Sequence, residues 1–191
     1  MAQQIIDFSA VENVVFNGKE VETLKLNNVV VWKTFKKHKQ LIERTIESVT
    51  VQDLEGITSI GTNVFSNCSN LTSVTLPNSI TSIGGSAFSG CSNLTSVTLP
   101  NGITSIENGV FYDCSNLTSI TIPVSVASIG TNAFSGCSSL TTVTLLPTIP
   151  PTLNSTSIPT ATTRIEVPLE SLETYRSAEG WSGYSNIIVG V

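Results

Sequence analysis

Residues 65–87 read FSNCSNLTSVTLPNSITSIGGSA, and residues 88–110 read FSGCSNLTSVTLPNGITSIENGV. The string returns again from Phe111 and, shortened, from Phe134. Phe65, Phe88, Phe111 and Phe134 are spaced 23 residues apart, as are Cys68, Cys91, Cys114 and Cys137, and Leu71, Leu94, Leu117 and Leu140. Several independent columns sharing one period identify a repeat array, and a period between about 20 and 50 residues is that of a solenoid or related stack. One unit cannot bury its apolar face alone; units stacked on one another can.

Inside a unit, Val74 and Leu76 alternate with Ser73 and Thr75, the period of a half-buried strand. Pro77, Pro100 and Pro123 follow these strands and stop them, because proline supplies no N–H to a ladder. Ile80, Ile83, Ala87, Phe88 and Cys91 follow at irregular spacings, as expected of a chain winding round a narrow core, and Gly84, Gly85 and Gly130 mark a turn on the far side. The ends of the array degrade. Residues 48–61 read SVTVQDLEGITSIG, a weaker first unit with two extra residues before Ile57. After Thr144, the prolines 147, 150 and 151 interrupt regular structure. RIEVP from Arg164 predicts a last strand, and Pro168 followed by Leu169, Leu172 and Arg176 predicts a short sealing helix.

The front of the chain has a different period. VENVVFNGKE from Val11 and VETLKLNNVV from Val21 are offset by ten residues, and Asn17-Gly18 and Asn27-Asn28 suit tight hairpin turns. This predicts three short antiparallel strands ending in Val29–Trp32. The expected division is a β meander over 1–34, a linker over 35–45, a solenoid over 46–160 and a cap over 161–191.

The frame F-x-x-C-x-x-L-x-x-[VI]-x-[LI]-P followed by I-x-x-I-G resembles the BspA-like leucine-rich repeats, and the tail VPLESLETYRSAEGWSGYSNII from Val167 is similar to the closing segment of such proteins. The resemblance covers about residues 46–191. It implies a mainly β, right-handed solenoid with one parallel sheet, and a role in adhesion or protein binding. The front meander resembles small modules that begin phage structural proteins.

Charge excludes some functions. The net charge is −5, and from Thr45 to Thr163 there is no Lys or Arg. Such a surface cannot neutralise phosphates, so nucleic acid is not an expected partner of the solenoid. The start MAQQIIDFSA has neither the basic segment nor the apolar run of a secretory signal, and no stretch approaches the ~20 apolar residues of a membrane span.

Chemistry-bearing residues are sparse. His38, the single histidine, stands between Lys37 and Lys39 and reads as a solvated linker residue. Cysteines 23 apart match neither the close pairs of a zinc site nor a disulfide framework, and each precedes the Leu of its own unit by three; they read as reduced, inert core thiols. Glu107 and Asp113 flank one turn with no base or nucleophile beside them. No catalytic residue, metal site or cofactor is expected. The outward strand positions form two hydroxyl columns, Ser73, Ser96, Ser119 and Thr142, and Thr75, Thr98, Thr121 and Thr144, which are the candidate binding face. Trp32 is the candidate assembly residue. The expectation is a non-enzymatic phage virion protein. Its meander would join other virion proteins and its solenoid would meet a host surface protein or glycan, with homo-oligomerisation possible. The alternative is a secreted or surface-anchored bacterial adhesin.

Overall fold

The computed structural model describes four strands between residues 15 and 33, residues 48–49 and 54, and the stretches 57–154 and 157–191. The linker stretch 35–45, with His38, lies outside the described residues.

The repeat unit is a coil with three sides. The first side carries the expected strands β5 (Ser48–Val49), β7 (Ser73–Thr75), β9 (Ser96–Thr98), β11 (Ser119–Ile122), β13 (Thr142–Leu145) and β15 (Arg164–Val167), and β16 (Ile188–Gly190) follows the strand read as the last. Pairing is parallel, and partners such as Ser73 and Ser96, or Ser119 and Thr142, are one 23-residue period apart. The first pair, Ser48 with Ser73, is offset by 25, which is the period plus the two residues inserted before Ile57. Val74, Ile120, Val143 and Ile165 point into the core between outward Ser, Thr, Arg and Glu.

The second side corrects the expectation of one parallel sheet. It carries two-residue strands, β6 (Ser59–Ile60), β8 (Ser82–Ile83), β10 (Ser105–Ile106), β12 (Ser128–Ile129) and β14 (Thr152–Leu153), also paired in parallel. A Ser-Ile dipeptide is too short to display an alternation, so the I-x-x-I-G segment reads as coil in one dimension and forms a ladder only when stacked. Gly84 and Gly130 close this side. A Cβ on Gly84 would lie 2.5 Å from the Thr62 backbone nitrogen, and one on Gly130 would lie 2.8 Å from that of Asn108, so both positions exist for close approach to the preceding coil. Each side is interrupted once, between β9 and β11 on the first and between β8 and β10 on the second.

The third side holds the stack together where the sheets are interrupted. Phe65, Phe88, Phe111 and Phe134 are buried and stack with ring centroids 5.2, 5.6 and 5.6 Å apart. The N–H of Phe88 donates to the carbonyl of Val110, and that of Phe111 to Ala133, both at 2.9 Å. The cysteines add a ladder of their own. The thiols of Cys91, Cys114 and Cys137 donate to the carbonyls of Phe65, Phe88 and Phe111 at 3.1, 3.2 and 3.0 Å. The backbone turns sharply on both flanks of the Phe column, and the residues that turn it also recur every 23: Asn63, Ser86, Gly109 and Asn132, then Asn67, Gly90, Asp113 and Gly136, all at positive φ.

The last coil is sealed as expected. A 3-10 turn (Leu169–Ser171) leads into α1 (Leu172–Ser177), and β16 then adds to β15. Tyr175 and Trp181 are fully buried and meet edge to face at 5.5 Å. The Tyr175 hydroxyl donates to the carbonyl of Pro147 at 2.8 Å, and the Trp181 indole N–H to that of Pro151 at 2.7 Å. The prolines that end the repeat leave carbonyls unladdered, and the cap's aromatic donors satisfy them.

At the front the expected three strands are four: β1 (Val15–Phe16), β2 (Lys19–Glu20), β3 (Thr23–Leu26) and β4 (Val29–Lys33). β1 and β2 pair antiparallel, as do β3 and β4; the turn residues expected between them, Asn17-Gly18 and Asn27-Asn28, lie outside the described residues. β4 also pairs in parallel with β6, Val29 against Ser59 and Val30 against Ile60. The last strand of the meander is therefore continuous with the second side of the solenoid.

Candidate binding face

The outward positions of the first side are placed by the alternation of each strand. With Val74 buried, Ser73 and Thr75 must face out. Ser73 pairs with Ser96 and Thr75 with Thr98 in one panel; Ser119 pairs with Thr142 and Thr121 with Thr144 in the next. Thr75, Ser96, Thr98, Ser119 and Thr121 are exposed, and Ser73, Thr142 and Thr144 are half-buried. The interruption between β9 and β11 separates the panels, so each of the two hydroxyl columns is split into two short segments. Val97 at the interruption is only partly buried, unlike its counterparts in the neighbouring strands.

The second panel continues onto charges. Thr142 pairs with Arg164 and Thr144 with Glu166. Arg164 Nε donates to Glu166 Oε1 at 2.8 Å, and the Thr144 hydroxyl donates to Glu166 Oε2 at 2.8 Å. Those bonds, from Arg164 first and Thr144 second, hold the Glu166 carboxyl below its usual pKa. Arg164 and Glu166 are functional candidates that the repeat frame does not contain. The signal was available, because RIEV read as a strand with Ile165 and Val167 inside puts Arg164 and Glu166 outside.

The other chemistry-bearing residues resolve into structural roles. All four cysteines are reduced and buried. Burial pushes the Cys91 thiol up to about 12, and the neighbouring Cys137 thiol together with burial pushes Cys114 upward as well. Glu107 accepts a hydrogen bond from the Ser105 hydroxyl at 2.6 Å. Asp113 occupies a left-handed turn position, φ 56°, one period from Gly90 and Gly136. The structure does not bring the two carboxylates into a shared site. Among the described residues no three of His, Cys, Asp and Glu gather where they could hold a metal, and no helix is long and apolar enough to cross a membrane. Trp32 lies in β4 opposite Leu24 of β3; its side chain lies outside the described residues.

Stacked parallel coils with a Phe core, a strand side bearing polar outward columns and a helical cap define a leucine-rich-repeat solenoid. The chain belongs to the BspA-type leucine-rich-repeat family, whose repeat region matches residues 37–157 in six copies. That match begins within the stretch read above as linker.

Solved structures share the fold. A leucine-rich-repeat protein of T. pallidum is 31% identical over 59% of this chain and 53% of its own, with a TM-score of 0.54. A leucine-rich cell surface protein of Faecalibacterium prausnitzii A2-165 matches 95% of this chain and 44% of its own at 23% identity, TM-score 0.60. The pneumococcal vaccine antigen PcpA matches 76% of this chain and 41% of its own at 21% identity, TM-score 0.55. The chain thus spans about half, or less, of the length of these solved relatives. No curated protein matches it.

Proposed function

We propose that the protein is a non-catalytic binding module displayed at a bacterial surface, with the first side of its solenoid as the docking face for a host protein or glycan. The observation that carries this is the composition of that face: outward hydroxyls in two panels, the second continuing onto the Arg164–Glu166 pair, with parallel pairing holding each panel in register. Aligned hydroxyls both donate and accept, which suits polar partners such as sugars or an extended peptide edge. The solved relative from Faecalibacterium prausnitzii is described as a cell surface protein, and that description favours the same setting here.

Virion assembly, with residues 1–34 and Trp32 as the anchor, rests on the front meander alone. β4 already has a partner in β6 of its own chain, and the solved relatives are bacterial proteins, so surface display is the stronger reading.

The test is binding of labelled protein to epithelial cells and to a glycan array, comparing Thr98→Lys and Thr121→Lys on the face with Thr131→Lys, an exposed site on another side. The two face variants should lose at least about tenfold in affinity, about 1.4 kcal/mol, and the control should bind like wild type. Equal binding by all three would remove the first side as the docking face. Fractionation of the source cells tests display directly; recovery in purified phage particles would restore the virion reading.

A further inference from the structure

Among the described residues, six large apolar side chains are exposed, and five of them share one edge of the stack: Val124, Leu146, Ile149, Leu169 and Val191. Each lies in the stretch that follows a first-side strand: Val124 after β11, Leu146 and Ile149 after β13, Leu169 after β15 and Val191 after β16. Hydrogen bonds link these stretches from coil to coil. The N–H of Leu146 donates to the carbonyl of Ile122 at 3.0 Å, and that of Leu169 to the carbonyl of Val191 at 3.1 Å. Between them, the pairing of Thr144 with Glu166 sets Leu146 beside Pro168. The five therefore lie along one edge of four coils.

The fold does not require this stripe. In the two preceding coils the same turn is Pro77-Asn78 and Pro100-Asn101, and both asparagines are exposed. Where those coils place Asn the next one places Val124, and where they place Pro the following one places Leu146. A turn that is well served by a polar residue gains nothing for folding from an apolar side chain in water.

The stripe is large enough to decide its occupant. Fractional exposures of 60% for Val124, 45% for Leu146, 80% for Ile149, 65% for Leu169 and 62% for Val191 correspond to roughly 550 Å² of exposed area, near the top of the range for the largest patch of a typical monomer. Two such stripes face to face would bury roughly 1,100 Å², just above the ~1,000 Å² that a specific interface needs. Its rim holds matched charges, Arg164 with Glu166 at 2.8 Å and Arg176 with Glu173 at 3.0 Å, so neither pair repels its copy strongly. Glu170, exposed beside Leu169, adds one negative charge per copy.

We propose that this stripe is a self-association surface, on which a second copy of the chain docks about a two-fold axis, stripe on stripe, to form a weak dimer. A two-fold makes the patch its own complement, and an area this close to the minimum belongs to the weak, transient class of interfaces. Because the rim carries a like charge on each copy, salt screens its repulsion and the dimer tightens as ionic strength rises. An association through the lysine-rich front against the acidic solenoid would have the opposite salt dependence.

Sedimentation velocity on the full chain, from about 5 to about 500 µM at low and high salt, tests this. The weight-average mass should climb from one copy toward two, and at a lower concentration in high salt. The triple variant Val124→Asn, Ile149→Ser, Leu169→Ser should weaken the dimer at least about tenfold with an unchanged melting curve; Val124→Asn alone restores the residue used by the preceding coils and should weaken it partially. A full chain that is monomeric at every concentration leaves the stripe to a different protein or to further sequence of a longer chain, and overturns the proposal. So does dimerisation that salt weakens, or that the triple variant leaves intact.

Discussion

Replacing Phe88 with Ala should cost about 4 kcal/mol. Phe88 is fully buried, and its ring lies between Phe65 at 5.2 Å and Phe111 at 5.6 Å with the planes within 8° of parallel. Removing the ring forfeits the ~1.5–3 kcal/mol gained by taking it from water, and the void keeps its walls apart because the coils above and below are pinned by backbone bonds from Phe88 to Val110 and from Phe65 to Ala87. Each stacked neighbour adds roughly 0.5–1.5 kcal/mol. Phe65 has one described neighbour in the stack, so Phe65→Ala should cost about 1 kcal/mol less. Domains of this size have about 5–15 kcal/mol to lose, so either change is readily measured. Urea melts followed by circular dichroism and by Trp fluorescence give both the midpoint and the slope. A shallower slope for Phe88→Ala would mean that the array has split into two blocks at the void. A loss below ~1 kcal/mol would refute the reasoning, since no fully buried ring stacked on both faces is removed so cheaply.

Three further outcomes follow from the same structure. The Cys91 thiol, ordinarily near 9.0, is pushed up to about 12 by burial, so its neutral form is favoured in the folded chain; the stability this gives is complete below pH 9.0 and is lost as pH rises toward 12, which melts across that window will show, while a thiol reagent at pH 8 should label Cys91 and Cys114 only after unfolding. Gly136→Ala should destabilise by about 1–2 kcal/mol, because residue 136 has φ 79° and a Cβ there would run into the Asp113 side chain; Gly183→Ala, with nothing within 4 Å, is the neutral comparison in the same thermal melts. Removing residues 1–34 should leave a folded solenoid, since the core among the described residues runs from Val49 onward, but one whose Ser59–Ile60 amides exchange with solvent faster for want of β4; exchange at the wild-type rate would mean that β4 does not protect that strand.

The stack was legible because identical residues one period apart must fall above one another. Phe, Cys and Leu columns therefore predicted the core, and the alternation around Val74 predicted the first side. Three things were not legible. The second ladder is built of two-residue strands, whose pairing is a property of neighbours 23 residues away rather than of local pattern. The left-handed columns change identity from coil to coil, so that Asn67, Gly90, Asp113 and Gly136 share one backbone conformation across three residue types. The front meander meets the solenoid through a parallel pair that no periodicity announces, because the two segments repeat at different intervals.

The same logic bears on function. In a repeat protein, a column that holds its residue reports first what stacking demands, and strand propensity and solubility favour an outward Thr whether or not a ligand uses it. Places where a column breaks add information of their own. Some breaks are absorbed locally: Glu107, in a column otherwise of Gly, is engaged by Ser105, and Asp113 merely turns the chain. Others are not absorbed. Arg164 and Glu166 replace hydroxyls in both outward columns one coil after Thr142 and Thr144, and Val124 and Leu146 replace Asn and Pro at a turn open to water. These departures lie in neighbouring coils at the C-terminal half of the array, so the charged pair on the proposed binding face and the apolar residues at its edge belong to the same part of the stack. A ligand bound across Thr121, Thr144 and Glu166 would reach the rim of the stripe, and binding and self-association should therefore influence one another.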